Sequence, residues 1–138
     1  MIKTREVVDA LMTYLDAGTT TNYLSQGPKQ PSGAYCVVHP SGGKYQDVNQ
    51  GSLGDHTADN VVSFQATSVG ETTEQAIWVH DTISARLWST ALTVAAGVVT
   101  LPIWAVPGSQ QPILRDDDIE PPLYYVTCRW VAHAIPTT

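Results

Sequence analysis

The chain has 138 residues, of which 43% are apolar, and its formal net charge is −6 at pH 7. This length suits one domain over residues 1–138 with a core of its own. The acidic balance argues against a protein that grips nucleic-acid phosphates or an anionic membrane surface, because both depend on lysine and arginine.

The first half of the chain predicts a helix followed by two strands. Apolar residues recur at helical spacing over Thr4–Ala17, and Gly18 follows where a C-terminal cap belongs. After a polar connector, Ala34–His39 has the pattern of a short strand. A long polar loop over Lys44–Asn60 leads to a second strand pattern at Val61–Val69. Long loops in compact domains are usually functional or disordered.

The second half predicts another helix and two further strands. Thr72 is a candidate N-cap, with Gln75 at the capping-box distance, for a helix that continues to about Trp88. Strand patterns follow at Val98–Val106 and Leu123–His133. Neighbouring strands along the chain favour an antiparallel or mixed sheet. We predict an α+β domain with a four-stranded, mostly antiparallel sheet and two helices packed on one face.

The charged segment before the last predicted strand is the most informative part of the sequence. It combines Arg115 with four acids and ends at two prolines. Hard cations need carboxylate oxygens that converge on one point, whereas consecutive aspartates in an extended segment point to alternate sides. We therefore favour a solvated loop or a subunit contact over a metal site. The acids are Asp116, Asp117, Asp118 and Glu120.

Other candidate contact residues are aromatic or acidic. Trp78 and Trp104 lie off the predicted apolar faces, and tryptophan is enriched at protein interfaces, so we expect interface use there. Asp55 and Asp59 lie in or beside the long polar loop and are also candidate contact residues. With His56 they form a weak alternative cation site.

Motifs for catalysis are absent from the sequence. It has neither a Gly-x-Ser-x-Gly elbow nor a phosphate-binding loop, so we predict no enzymatic activity, no metal and no cofactor. Cys36 and Cys128 have no metal-type spacing. In a reducing compartment we expect two buried thiols, with a bridge possible only if their strands are neighbours.

Three segments carry a resemblance to a known family. They are the strand and helix over Phe64–Leu87, the acidic entry into the last strand at Arg115–Tyr125, and the Gly-rich turn Pro40–Gly43. In order and spacing they resemble the tail terminator proteins of long-tailed, siphovirus-type actinobacterial phages. The resemblance covers most of the chain from residue 35 onward and is weaker over residues 19–32 and 44–60.

The resemblance implies a structural, non-enzymatic protein that forms a homo-oligomeric ring, usually of six subunits. Such a ring caps the tube of major tail protein, stops its polymerisation and joins the tail to the head-side connector or stopper. DNA passes through the lumen without specific binding, and no membrane is involved. The implied location is the tail or neck of the virion, after assembly in the host cytoplasm. An acidic lumen would repel the phosphates of passing DNA.

Two alternatives stay open at the level of the sequence. One is a different neck protein, such as the head-to-tail stopper, since such proteins also form rings. The other is a small metal-binding or enzymatic domain that uses Asp116–Asp118, alone or with His56.

Overall fold

The computed structural model describes residues 2–27, 33–42, 44–46, 59–118 and 121–137. Within these ranges the chain forms two helices and nine strands. The helices are α1 (Thr4–Asp16) and α2 (Thr73–Leu87); the strands are β1 (Asn22–Leu24), β2 (Tyr35–Pro40), β3 (Lys44–Gln46), β4 (Asp59–Gly70), β5 (Thr93–Ala95), β6 (Val98–Thr100), β7 (Trp104–Ala105), β8 (Leu114–Asp116) and β9 (Leu123–Pro136).

All the described strands belong to one mixed sheet with the order β1-β2-β4-β9-β6-β5. The β1–β2 pair is parallel, and the other pairs are antiparallel. Strand β3 continues the row of β2 along β4, and β6, β7 and β8 follow one another along β9. The sheet therefore has four long rows, two of them interrupted, with β1 and β5 added at its edges.

The predicted four-stranded, mostly antiparallel sheet is wrong, because the described residues form a nine-stranded mixed sheet. Strands β1 and β5 have three residues each, which is too short for a period-two pattern to be recognised. The predicted strand Val98–Val106 is broken at Pro102, whose nitrogen has no hydrogen to donate to a neighbour. The loop predicted over Lys44–Asn60 contains β3 and the start of β4, and its middle lies outside the described residues.

Both predicted helices are present, and each buries its expected apolar stripe except for Met12 of α1, which is only partly buried. The N-terminal cap of α2 is also confirmed. The Gln75 backbone N–H donates to Thr72 Oγ1 at 3.1 Å, and the Glu71 N–H donates to Gln75 Oε1 at 2.9 Å. The stripes consist of Val7, Val8, Leu11 and Leu15 in α1 and of Ala76, Val79, Ile83 and Leu87 in α2.

The main core lies between the two helices and one face of the sheet. Even-numbered residues of β4 and β9, such as Phe64 and Trp130, point into it. Cys36 and Cys128 are buried there as free thiols. Strand β4 separates their strands, β2 and β9. The two cysteines are therefore separated by two strand spacings, about 10 Å. This distance is greater than a disulfide can span, so both thiols are buried without a bridge.

Gly70 fixes how closely the start of α2 approaches the end of β4. An added Cβ at this position would lie 2.6 Å from the Ala76 nitrogen and 2.6 Å from Gln75 Cβ. Such distances are far below the optimal separation of nonbonded atoms. The strand can pass under the first turn of the helix only because residue 70 has no side chain.

A second contact joins the C-terminal ends of the helices. The guanidinium of Arg86 lies 4.3 Å from the centre of the Tyr14 ring and donates to the Leu15 carbonyl at 3.3 Å. The Tyr14 hydroxyl donates in return to the Arg86 carbonyl at 2.7 Å. Gly18, expected as a helix cap, follows the observed cap residue Ala17 and leaves room for this guanidinium, because a Cβ there would overlap Arg86 Nη1.

Candidate functional site

The sheet face opposite the helices, here called the open face, is a candidate surface for a partner. Odd-numbered residues of β4 and β9 point to it, because successive side chains of a strand alternate between faces. No described helix packs on this face, since the buried residues of both helices belong to the core on the other side. Its composition changes along the strands, from apolar at one end to polar in the middle.

An apolar cluster occupies the end of the open face where β9 begins. The rings of Tyr23 and Tyr35 meet edge to face, with centroids 5.7 Å apart. Burial raises the pKa of Tyr35, and the nearby Tyr23 and Asp116 raise it further. The buried members are Tyr35, Val37, Val69 and Leu123, and Tyr23 and Tyr125 pack against them. This end of the face therefore forms a small second core.

The centre of the open face is polar and carries one basic side chain. His39, Gln65 and Arg129 are direct neighbours across β2, β4 and β9. Two residues along the same face from Gln65 and Arg129, the hydroxyl oxygens of Thr67 on β4 and Thr127 on β9 lie 3.5 Å apart. A depression of about 250 Å³ lies over this region. We call it the Arg129 pocket; its lining includes His39, Pro40, Ser41, Ser63, Gln65 and Arg129.

The acidic cluster singled out in the sequence forms a tight turn, here called the acidic turn (Arg115–Asp118). Arg115 Nε lies 2.7 Å from Asp117 Oδ1, and the Asp118 N–H donates to Asp116 Oδ1 at 3.0 Å. The turn lies at the entry to β9, because Asp116 pairs with Leu123. The ion pair is exposed and stabilises the fold by no more than about 1 kcal/mol. Glu120 lies outside the described residues.

The described residues contain no group of three or more His, Cys, Asp or Glu side chains that could hold a metal ion. The alternative cation site of His56 with Asp55 and Asp59 is only partly described, since Asp55 and His56 lie outside the described residues. Asp59 itself has a partner within the chain: its Oδ2 lies 3.0 Å from His133 Nε2. This pair lies near the other end of β9 from the acidic turn.

The two tryptophans predicted at interfaces are both exposed, but they lie on different surfaces. Trp104 is 46% exposed and shares the open face with its cross-strand neighbour Val131. Trp78 is 50% exposed on α2, which packs on the other side of the sheet. The structure therefore does not bring the predicted contact residues together in one patch.

Sequence reasoning missed the exposed apolar residues near β7 and β8, which lie along one side of β9. Leu101 is exposed just before β7, and Leu114 is exposed on β8, further along β9. Strands β7 and β8 pair only with β9 among the described strands, so no described strand covers their outer side, although Ile103 beside β7 bonds to Ser89 and Thr90 through its backbone. An exposed, apolar edge strand is a ready template for association with another chain. Trp88, also exposed, packs edge to face on Trp130 with centroids 6.3 Å apart.

A second depression, of about 670 Å³, lies on the opposite side of the sheet between α1 and the segment that contains β5. Its walls include Glu6, Asp9 and Tyr14 from the helix, together with Leu92 and Val94. The sequence could not indicate it because β5 was not predicted. No helix among the described residues has the length and apolarity needed to cross a membrane.

Comparison with known proteins places the chain by its fold. No family model and no curated protein matches the sequence. Among solved structures, the chain is similar to a chain from a structure described as the virion of a native gene transfer agent (GTA) particle. The superposition covers 92% of both chains with a TM-score of 0.63 and 15% sequence identity. At this identity the comparison shows a shared fold over nearly the whole length of each chain.

Proposed function

We propose that this chain is a virion structural protein of a tailed phage or phage-like particle. The observation that carries the proposal is the shared fold with a chain of the gene transfer agent virion, over 92% of both chains. Because most of each chain is included, the correspondence involves the whole domain and not a common helix-on-sheet fragment. The role is structural and requires no catalysis, metal or cofactor.

Within such a particle, we propose that the chain is the tail terminator. The support for this finer assignment is the resemblance of residues 40–43, 64–87 and 115–125 to that family. The subunit would assemble into a ring, six-membered in the family, at the end of the tail tube. It would stop the polymerisation of the major tail protein and join the tail to the head-side connector, so its location would be the neck of the virion.

The exposed surfaces are suited to a subunit of a ring. A head-to-tail ring needs two different contact surfaces on each subunit. The chain offers an open sheet face with a basic centre, exposed apolar side chains on β7 and β8 at Trp104 and Leu114, and an acidic turn at Arg115–Asp118. DNA would pass through the lumen without specific binding, since the net charge of −6 favours repulsion of phosphates.

The test is a tube-capping experiment with the major tail protein encoded in the same genome. Tubes are polymerised with and without this chain, and their lengths and ends are examined by electron microscopy. A tail terminator arrests growth and appears as added density at one end of each tube. A neck connector of the stopper type leaves tube length unchanged and instead associates with filled heads. Tubes that grow to the same length and carry no added density would contradict the terminator assignment.

A further inference from the structure

The arginines differ in whether another group of the same chain already contacts the guanidinium. Arg86 is held between the helices by Tyr14 and the Leu15 carbonyl. Arg115 pairs with Asp117 in the acidic turn. Arg5 lies 3.8 Å from Asp9 on the exposed side of α1. Within the described residues, the guanidinium of Arg129 is the one arginine guanidinium with no ion pair, ring contact or hydrogen bond.

The surroundings of Arg129 suit a carboxylate. The Arg129 pocket is lined by the His39 ring, the Gln65 amide and the Ser63 hydroxyl, and none of the described residues that line it is acidic. A guanidinium presents several N–H donors in a fork that matches the two oxygens of a carboxylate. An amide and a hydroxyl beside it can donate further hydrogen bonds. The centre of the open face is therefore a donor-rich site within an acidic protein.

The acidic turn provides the complementary group. Asp117 is occupied by Arg115, and Asp116 accepts the backbone N–H of Asp118. The carboxylate of Asp118 has no partner among the residues that the structure describes, and its side chain is exposed. Among the described residues, the Asp118 carboxylate on the acidic turn and the Arg129 guanidinium on the open face are therefore both exposed and without a partner.

These two groups cannot meet within one subunit. The turn precedes β9 at Leu123, and Arg129 lies six residues further along that extended strand. At about 3.3 Å per residue, the separation along the strand is about 20 Å. Among the described residues neither group has a partner, so both are available to a second molecule.

We propose that the acidic turn of one subunit binds in the Arg129 pocket of a second copy, with Asp118 paired to Arg129. This contact joins two different surfaces, so each subunit has both halves and the contact can repeat from copy to copy. The proposed contact would join the subunits of the terminator ring. It rests on the proposed function in one respect, because such a ring requires a contact that repeats from subunit to subunit. Arg129 fixes the register of that contact, while the apolar edge beside Trp104 supplies buried area.

The test exchanges the two charges and measures self-association of the purified chain, with no tube protein present, by analytical ultracentrifugation. The single variants Asp118→Lys and Arg129→Glu place like charges against each other and are expected to raise the half-assembly concentration more than about tenfold. The double variant restores opposite charges and is expected to recover most of the wild-type assembly. An equal mixture of the two single variants is expected to recover assembly as well, because each variant complements the other.

Matched controls separate this contact from a general effect of charge. Asp81→Lys and Arg5→Glu make the same changes at exposed positions on the helices and are expected to leave assembly unchanged. Circular dichroism of every variant checks that the fold is retained. Single variants that assemble like the wild type, or a double variant no better than the singles, would overturn the proposal.

Two further results would also overturn the proposal. One is a wild-type chain that remains monomeric at about 1 mM. The other is an Arg129→Glu variant that loses binding to DNA or to inorganic phosphate while its assembly is unchanged, since Arg129 would then serve a phosphate. None of these measurements involves the tail tube. A failed tube-capping experiment therefore leaves the contact standing, and a failed charge exchange leaves the terminator assignment standing.

Discussion

Replacing Gly70 by alanine tests the packing that positions α2 on the sheet. The new Cβ would lie 2.6 Å from the Ala76 nitrogen, 2.6 Å from Gln75 Cβ and 2.8 Å from the Gln75 carbonyl carbon. Optimal contacts between nonbonded carbon atoms are about 3.5–4.0 Å. The contacting atoms belong to the backbone or to a Cβ, so no change of side-chain rotamer can relieve the overlap. The first turn of α2 must move away from β4.

The cost of that movement has two parts. Overpacking in a well-packed interior costs about 1–3 kcal/mol. Displacing the first turn also disturbs the hydrogen bonds of the Thr72 cap, and a lost N-cap costs about 1 kcal/mol. We therefore expect Gly70→Ala to lower the free energy of unfolding by about 2–4 kcal/mol. Since domains are stable by only about 5–15 kcal/mol, a large fraction of the stability would be lost.

The assay is urea unfolding followed by far-ultraviolet circular dichroism, with Gly42→Ala as the control. Gly42 has no heavy atom within 4 Å of an added Cβ, and its φ lies outside the left-handed region. Both variants reduce the freedom of the unfolded chain equally, which stabilises a protein by about 0.4–1 kcal/mol where the native site tolerates alanine. The difference between them therefore measures the overlap. A Gly70→Ala variant within about 0.5 kcal/mol of Gly42→Ala would refute the reasoning.

Three further predictions concern the helix contact, a buried thiol and the exposed tryptophans. Gly18→Ala should displace the Arg86 guanidinium, since the added Cβ would overlap it, and should lower stability by about 1–2 kcal/mol in urea unfolding through the lost cation–π contact and hydrogen bond. Burial raises the pKa of Cys36 to about 12. The unfolded thiol ionises above about pH 8.5, so the free energy of unfolding should fall as pH rises from there towards 12, with a smaller slope in Cys36→Ala. Trp78→Ser and Trp104→Ser should each change stability by less than about 0.5 kcal/mol, while Trp104→Ser weakens self-association in sedimentation.

The elements that the sequence predicted are those with long periodic patterns. The helix of 15 residues from Thr73 to Leu87 and the strands of 12 and 14 residues from Asp59 and Leu123 present enough repeats to identify both their type and their buried face. Strands of two or three residues present no such repeat. They exist because a long neighbouring strand offers them unpaired backbone groups, and that neighbour is distant in sequence.

The position of the acidic segment in the fold could be predicted from the sequence. Its internal ion pair and the neighbours of Arg129 could not. The two prolines and the aromatic residues after them indicated that the acidic segment enters the last strand, and it does. That Asp117 pairs with Arg115 depends on the conformation of the turn. The Arg129 pocket depends on the register of three strands, which brings His39 and Gln65 beside Arg129 from separate parts of the chain. The alternation of polar residues along β4, at Ser63, Gln65 and Thr67, was the available signal for an open polar face.

Substitutions on the two faces of the sheet are expected to affect different properties of the protein. On the helix face, apolar residues of suitable volume can replace one another with little loss of stability, so a fold can persist at 15% identity over 92% of two chains. On the open face, an exposed residue such as Arg129 contributes little to folding, and substitutions there usually change stability by less than about 0.5 kcal/mol. A large effect of Arg129→Glu on assembly would therefore report on a partner and not on the fold. Gly70→Ala acts in the opposite way, because its effect arises entirely within the subunit.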